Sequence, residues 1–370
     1  SENSYSKKQL TFSNIKTTLK SYLDPFYAAE ENDIGIPGQV GFGVGICPES
    51  IRPSYMMGME GYTNKASDNY GNYVCTIDGS VMVWIPAFVF KITNDINPPF
   101  NGTKAEIKSF KNYGYVEDAA IADGYALHRA FIDGGAIKEG FFVDKYKWSL
   151  TNFIYDTSGI ASSIKNGNPI SSSAESNRNA TNNYAGSFSN CKSNSQIPAD
   201  NYGGAWAAAK SRGNDFAIWS MFIHSALAIL SLAHAQAATS LTNCAWYDAT
   251  GVKNFPKGNN NFGSDVDDSS VTFAACDDGY WSLQNAARKI GSGSNFAKTT
   301  HNGQNCGVAD INGNQFNIVQ GFTTANVVDK TITAISRAAQ TIVTIANHGY
   351  TNGQQILIVG SATTEWNNLL

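Results

Sequence analysis

Charge is what this chain has least of. Asp, Glu, Lys and Arg make up only 15% of its 370 residues, against roughly 25% in an ordinary soluble domain. The 26 basic residues are outnumbered by 30 acidic ones, for a formal net charge of −4. There is no basic footprint for a phosphate backbone or an anionic lipid surface, so nucleic acid is not an expected partner. Cysteine is also sparse. Cys47, Cys75, Cys191, Cys244, Cys276 and Cys306 lie far apart with no C-x-x-C pair, which signals neither a zinc site nor a dense disulfide scaffold. One or two long-range disulfides stay open if the protein leaves the cytosol. Residue 1 is Ser and no basic-then-apolar leader follows, so any signal peptide is expected to have been removed.

Long apolar runs are nearly absent too. Residues 216–238, FAIWSMFIHSALAILSLAHAQAA, approach the roughly 20 apolar residues a bilayer needs. His224, Ser225, Ser231, His234 and Gln236 interrupt the run, and no Lys or Arg cluster flanks it. It reads as a helix buried in a large core, not as a membrane insertion. Its two histidines are ten residues apart, about 80° off a common helical face, so a shared metal is not expected.

What is plentiful is Gly (34) and Asn (38), on a chain that is still 42% hydrophobic and 12% aromatic. Enough apolar surface is present to offset chain entropy. The abundance of turn formers predicts short strands joined by irregular loops, not a helical bundle. Near-helical spacing of Leu10, Ile15, Leu19 and Leu23 predicts an N-terminal arm or helix over 1–29. Residues 34–47, IGIPGQVGFGVGIC, read as extended chain packed closely against something; without G-K-[ST] they are not a phosphate loop.

Over 72–92, NYVCTIDGSVMVWIPAFVFKI, Asp78-Gly79 predicts a hairpin turn. The second run is continuous enough for a strand buried on both faces, with Pro86 marking a bulge or an edge. Residues 141–150 predict one more strand, with Phe142, Tyr146 and Trp148 on one face and Lys145 and Lys147 on a wetter one. Residues 156–200 collapse to Ser, Asn, Gly and Ala, a long surface excursion. An Ala-rich helix over 202–210 should end at Gly213. A second polar stretch, 242–298, carries Trp246, Tyr247, Phe255, Phe262, Tyr280 and Trp281. Residues 307–322 regain strand character around Asn312-Gly313, and 332–370 read as a small β-module.

Three segments carry a family likeness. GFFVDKYKWSLTNF (140–153), GGAWAAAKSRGNDFAIWSMFIHSALAI (203–229) and CGVADINGNQFNIVQGF (306–322) resemble the opening strand, the two helices and the Asn-Gly-Asn strand motif of a C-type lectin fold. The variant is the one shared by formylglycine-generating enzymes and the variable proteins of diversity-generating retroelements. Residues 343–360, VTIANHGYTNGQQILIVG, are similar to a short β-module of viral tail proteins. That pattern stops partway at Glu365-Trp366-Asn367, so the natural chain is expected to run past Leu370. The resemblance implies an α+β fold with two helices, small antiparallel sheets and long irregular loops. The expected organisation is an N-terminal arm and extended segment (1–71), a lectin-like ligand-binding domain (72–325) and the start of the β-module (326–370). The R-G-G-S-W strand of most members is missing, and the 72–92 hairpin is a candidate to replace it.

No catalytic constellation emerges: G-x-S-x-G, H-E-x-x-H and Walker patterns are absent from the sequence. The enzyme branch of the family relies on two nearby cysteines, whereas Cys276 and Cys306 are thirty apart; oxygenase relatives use H-x-x-x-H-x-E, which none of the five histidines forms. His301 beside Asn302-Gly303 reads as a loop residue. Asp265, Asp267 and Asp268, with Asp277 and Asp278, offer oxygens to calcium but lack the twelve-residue spacing and closing Glu. A solvated acidic loop is the preferred reading, and no cofactor is expected.

The stronger signal is aromatic residues among amides and glycines, the composition of antibody-type binding surfaces. In retroelement variable proteins, adenine-directed mutagenesis acts most productively on Asn codons, and 277–295, DDGYWSLQNAARKIGSGSN, has a matching mixture. The resemblance assigns ligand contacts to Asp277, Asp278, Tyr280, Trp281, Asn285 and Arg288. It implies a non-enzymatic virion protein, carried on the tail or surface beside other tail proteins and able to oligomerise, that binds a host cell-surface protein or glycan. A metal-dependent oxidase and a purely structural tail component are the alternative classes.

Overall fold

The computed structural model describes residues 30–94, 102–150, 161–167, 169–170, 202–259, 263–276, 288–313, 317–320, 331–335 and 343–347. Three short strands open it: β1 (Met56–Gly58), β2 (Asn72–Cys75) and β3 (Val81–Pro86). The predicted turn joins the last two. Gly79 takes φ +74°, the Asp78 carboxylate accepts the Ser80 amide, and Val74 pairs with Val81 and Asn72 with Val83. The apolar run then divides instead of continuing. Pro86 has no N–H for a ladder, and past it the chain enters a second sheet in which β4 (Phe88–Thr93) lies between β5 (Lys104–Ser109) and β6 (Ala126–Leu127). Ala87 is the switch point: its N–H donates to Glu139, and its carbonyl accepts from Phe110.

Between these last strands lies a short helix, α1 (Glu117–Ala122), and after them a small hairpin of β7 (Ile132–Asp133) and β8 (Ala136–Ile137). Next, β9 (Gly140–Asp144) returns to the first sheet and pairs with β3, giving the order β1-β2-β3-β9. The 72–86 hairpin thus shares a sheet with the 140–144 strand.

The strand expected over 141–150 is two strands, and its wetter face is dry. After β9 the chain turns, and β10 (Trp148–Leu150) pairs with β11 (Ala161–Ser163) in a separate ribbon. Lys145 is 4% exposed; its ammonium donates to the Asn72 side-chain carbonyl and, at 2.7 Å, to the Asn305 carbonyl. Lys147 donates to the Gly313 carbonyl. Burial pulls both amines down to about 8. Strand alternation does not apply to either lysine, because both lie in the break between β9 and β10. The polar excursion after it is also less superficial than its composition suggests, since Ala161, Ser162 and Ser163 are fully buried.

Two longer helices complete the scaffold: α2 (Tyr202–Lys210) and α3 (Met221–Ala237). In α2, alanine is chosen for closeness; Ala205, Ala208 and Ala209 pack with Ala161 and Ile218. The second begins five residues after the apolar run does, because Ser220 caps it, accepting the Ile223 amide at 3.1 Å. Ala226, Leu227, Leu230 and Ala233 turn into the main core. Among the described residues no helix is long and apolar enough to cross a membrane.

Residues 34–47 form turns instead of extended chain, and contribute Ile34, Phe42 and Val44, all fully buried, to the same core as Ile85, Phe88, Leu227 and Val308. Gly43 shows why glycine is needed: at φ +83°, a Cβ there would sit 2.9 Å from the His301 ring nitrogen. The described parts of 307–322 form turns and single bridges, Thr300–Ala309 and Ser220–Gln320, in place of the expected strand. Positive φ at Asp310 and Gly313 breaks the pleat. Near the C-terminus, β12 (Ile332–Ile335) and β13 (Val343–Ile345) pair antiparallel; the rest of the predicted module, like the arm at 1–29, lies outside the described residues. The architecture is α+β, with few helices and several small antiparallel sheets.

One ion cluster ties α2 to the first sheet. Arg212, 3% exposed, donates to Asp78 in the hairpin turn and to both oxygens of Asp144 at the end of β9, at 2.8 and 3.2 Å. The Trp148 indole N–H adds a bond to Asp144 at 2.7 Å. Removing one partner strands charge in a site closed to water. Asp144→Ala is therefore expected to cost about 3–5 kcal/mol in urea unfolding; a loss below about 1 kcal/mol, the value of a surface pair, would show the cluster to be dispensable.

Candidate functional site

The predicted contact residues belong to a segment whose two described flanks, 271–276 and 288–294, form a stem. The two flanks run side by side. The Ser294 amide donates to the Thr272 carbonyl at 2.7 Å, the Lys289 amide to the Ala274 carbonyl at 2.9 Å, and Ala275 and Arg288 form an antiparallel bridge. Serine hydroxyls replace missing backbone partners: Ser294 accepts the Thr272 amide and Ser292 the Ala274 amide. The base of the stem is anchored. Val271 and Ile290 are fully buried and Phe273 nearly so; Ile290 exchanges backbone bonds with Asn166 and Gly167, and the Gly291 amide donates to Asp310 at 2.6 Å.

Asp277, Asp278, Tyr280, Trp281 and Asn285 lie outside the described residues. Arg288 is placed, half-buried, at the closing bridge with its guanidinium against Gly263. It belongs to the stem, where its long side chain fills space beside a residue that has none.

The acidic group beside the stem is structural. The Asp265 carboxylate accepts the amides of Gly258, Asp267 and Asp268 at 2.7, 2.8 and 2.9 Å, which is how a buried Asp closes a turn. Asp268 pairs with Lys298 at 2.7 Å, and that bond holds its carboxyl down at about 2. The Asp265 and Asp268 oxygens thus point to protein donors, while Asp277 and Asp278 lie outside the described residues, among which no three His, Cys, Asp or Glu could hold a metal ion. Trp246 is likewise no surface aromatic. At 2% exposure it donates to the Thr300 carbonyl and stands edge-on to His234, securing its loop to the core.

Three histidines are buried and neutral. His301, far from being an ordinary loop residue, is fully enclosed: Nδ1 accepts the Val308 amide at 3.0 Å and Nε2 faces the Gly43 carbonyl at 3.1 Å. His234 accepts the Gly38 amide at 3.0 Å, faces the Asn243 carbonyl at 2.8 Å and stacks on Phe42. His128 accepts the Ala130 amide among Phe88, Phe90 and Phe131. In each ring a nitrogen lone pair is already occupied by a backbone N–H, so these are clips for the chain, not bases.

A separate cleft of about 640 Å³ runs along β9, all of which (Gly140–Asp144) lines it, and reaches Met82 and Trp84 of β3. Trp84 and Phe142 form its floor, their rings 4.8 Å apart. Tyr55, Phe216 and Trp219 line its sides, and the Tyr55 hydroxyl donates to Asp215 at 3.1 Å at the mouth. Sequence reading missed this cleft, because its walls come from five separated segments. The one available signal was the alternation that puts Met82 and Trp84 on a common face.

No family model matches this chain, and no curated protein matches it.

Burial pulls His128, His234 and His301 from the ordinary 6.5 down to about 4. The unfolded chain takes up these protons near pH 6.5 and the folded chain only near 4, so between those values the unfolded state binds more protons and acid favours it. The melting temperature is expected to be level between pH 6.5 and about 8, below the range in which Lys145 and Lys147 titrate, and to fall steadily toward pH 4. His301→Gln should make that fall shallower. A melting temperature unchanged between pH 7 and 4.5 would contradict the neutral assignment.

Proposed function

We propose that this chain is a non-catalytic recognition protein of a virion tail or surface. In this reading it carries a lectin-type domain of the retroelement variable class and binds a host cell-surface protein or glycan through residues 277–287. The observation that carries the reading is the stem: two segments cross-bonded at Thr272–Ser294, Ala274–Lys289 and Ala275–Arg288, seated on fully buried Val271 and Ile290. A segment that leaves such a base can change side chains without disturbing the core, because the bonds that hold its ends are made by backbone groups and small hydroxyls. The composition of the segment, with Tyr280 and Trp281 among Asp, Asn and Ser, supplies large rigid contact area and adaptable hydrogen bonds at low entropy cost. Several copies around a tail tip convert weak single contacts into strong attachment.

The test is a binding screen of the purified protein against host cells and a glycan array, followed by variants. Tyr280→Ala and Trp281→Ala are each expected to weaken the detected interaction by about tenfold or more, the scale of an aromatic hot spot, with the melting temperature unchanged. Equal binding by both variants would refute this site.

A further inference from the structure

We infer that the cleft beside β9 is a strand-acceptor slot, which takes an extended segment of a separate polypeptide, apolar at alternate positions, as a fifth strand of the first sheet. This surface is distinct from residues 277–287 and does not depend on that reading.

The inference starts from the register of β9. Its ladder with β3 uses Lys145 N–H to the Val81 carbonyl at one end and Ala87 N–H to the Glu139 carbonyl at the other, with Val143 opposite Val83 and Phe141 opposite Ile85 between them. In an antiparallel pair, bonded residues alternate with unbonded ones. The odd-numbered residues of β9 therefore turn their backbone groups toward β3, and Gly140 and Phe142 turn theirs away from it. In the sheet order β1-β2-β3-β9 that outward side is the edge. Among the described residues nothing is hydrogen-bonded to the N–H or C=O of Gly140 or Phe142.

The opposite wall repeats the pattern. Residues 216–219 run without regular structure between Arg212 and the cap of α3, and among the described residues the backbone groups of Ala217 and Ile218 also have no partner. Both walls line the 640 Å³ cleft. Donors and acceptors two residues apart along a straight edge, about 6.6 Å, match another backbone and not a sugar ring or a compact metabolite. An open edge of this kind is the template used in strand addition, where main-chain bonds give affinity and side-chain pockets give selectivity. Every second side chain of the added strand would stand beside Phe142, on the face that also carries Met82 and Trp84. Charge adds a preference. Arg212 is already engaged by Asp78 and Asp144, leaving Glu139 and Asp215 against Lys138 around the cleft, so a basic residue in the incoming strand is favoured over an acidic one.

The edge can be closed without touching the β3 ladder. Phe142→Pro removes the outward N–H together with the ring, while Phe142→Leu keeps that N–H and loses the ring alone, so the difference between the two variants reports the backbone bond. The probe is an array of synthetic heptapeptides that alternate Val or Ile with Thr or Lys, titrated against the full chain and read by its backbone amide resonances. Binding should shift the Gly140 and Phe142 amides and slow their exchange. Phe142→Pro should weaken it by about tenfold or more, roughly one well-made hydrogen bond and its neighbours, and Phe142→Leu clearly less. Three results would overturn the inference: no heptapeptide bound at millimolar concentration, binding untouched by Phe142→Pro in a variant that still folds, or amides of Gly140 and Phe142 already protected in the free protein, which would mean that the chain covers its own edge.

Discussion

The Arg212 guanidinium ties the close of α2 to two points of the first sheet. Its partners come from a hairpin turn, Asp78, and the end of an edge strand, Asp144, while its own position follows from the close of α2. A buried cation of this kind carries a large desolvation cost, and only correctly placed carboxylates offset it. The cluster thereby favours one arrangement, in which the end of β9 and the turn between β2 and β3 are both held to the close of α2. The segment that follows, fixed again at the Ser220–Gln320 bridge, supplies the wall of the cleft opposite β9.

The neutral histidines do on the opposite side of the core what Arg212 does on this one. His234 and His301 each bind backbone from the 34–47 turns, and so fasten a glycine-rich segment that has few side chains of its own to bury. Imidazole suits the task because one ring offers an acceptor and a donor in fixed directions, and the backbone it meets needs one of each. Polar groups that look catalytic in a sequence are here structural, and for the same reason as Asp265: a loop-rich fold has many backbone amides without regular partners, and buried side chains must satisfy them.

Much of the local structure was legible from residue order. Asp78-Gly79 announced its hairpin, Pro86 its break in the ladder, and the alanines of 205–209 a helix packed at short range. Lys145 and Lys147 were misread because the strand breaks between them and Asp144, and in that break their ammonium groups turn to the distant carbonyls of Asn305 and Gly313. The strand expected at 307–322 failed for a complementary reason: the Asn-Gly signal was sound, but Asp310 also adopts positive φ, and two breaks within a few residues leave no length for a pleat. Of the candidate contacts, only Arg288 is placed, and it serves the stem.

Composition and short-range pattern by themselves determined the class of fold, the positions of turns and the buried helix, because these depend on neighbours in sequence. Which buried polar group meets which depended on contacts between residues separated by tens to hundreds of positions: Asp78 and Asp144 with Arg212, Gly38 with His234, Gly43 with His301. Only the tertiary structure decided those, because hydrogen bonding in a core is a matter of direction and distance, and no local pattern in the chain encodes either across such separations.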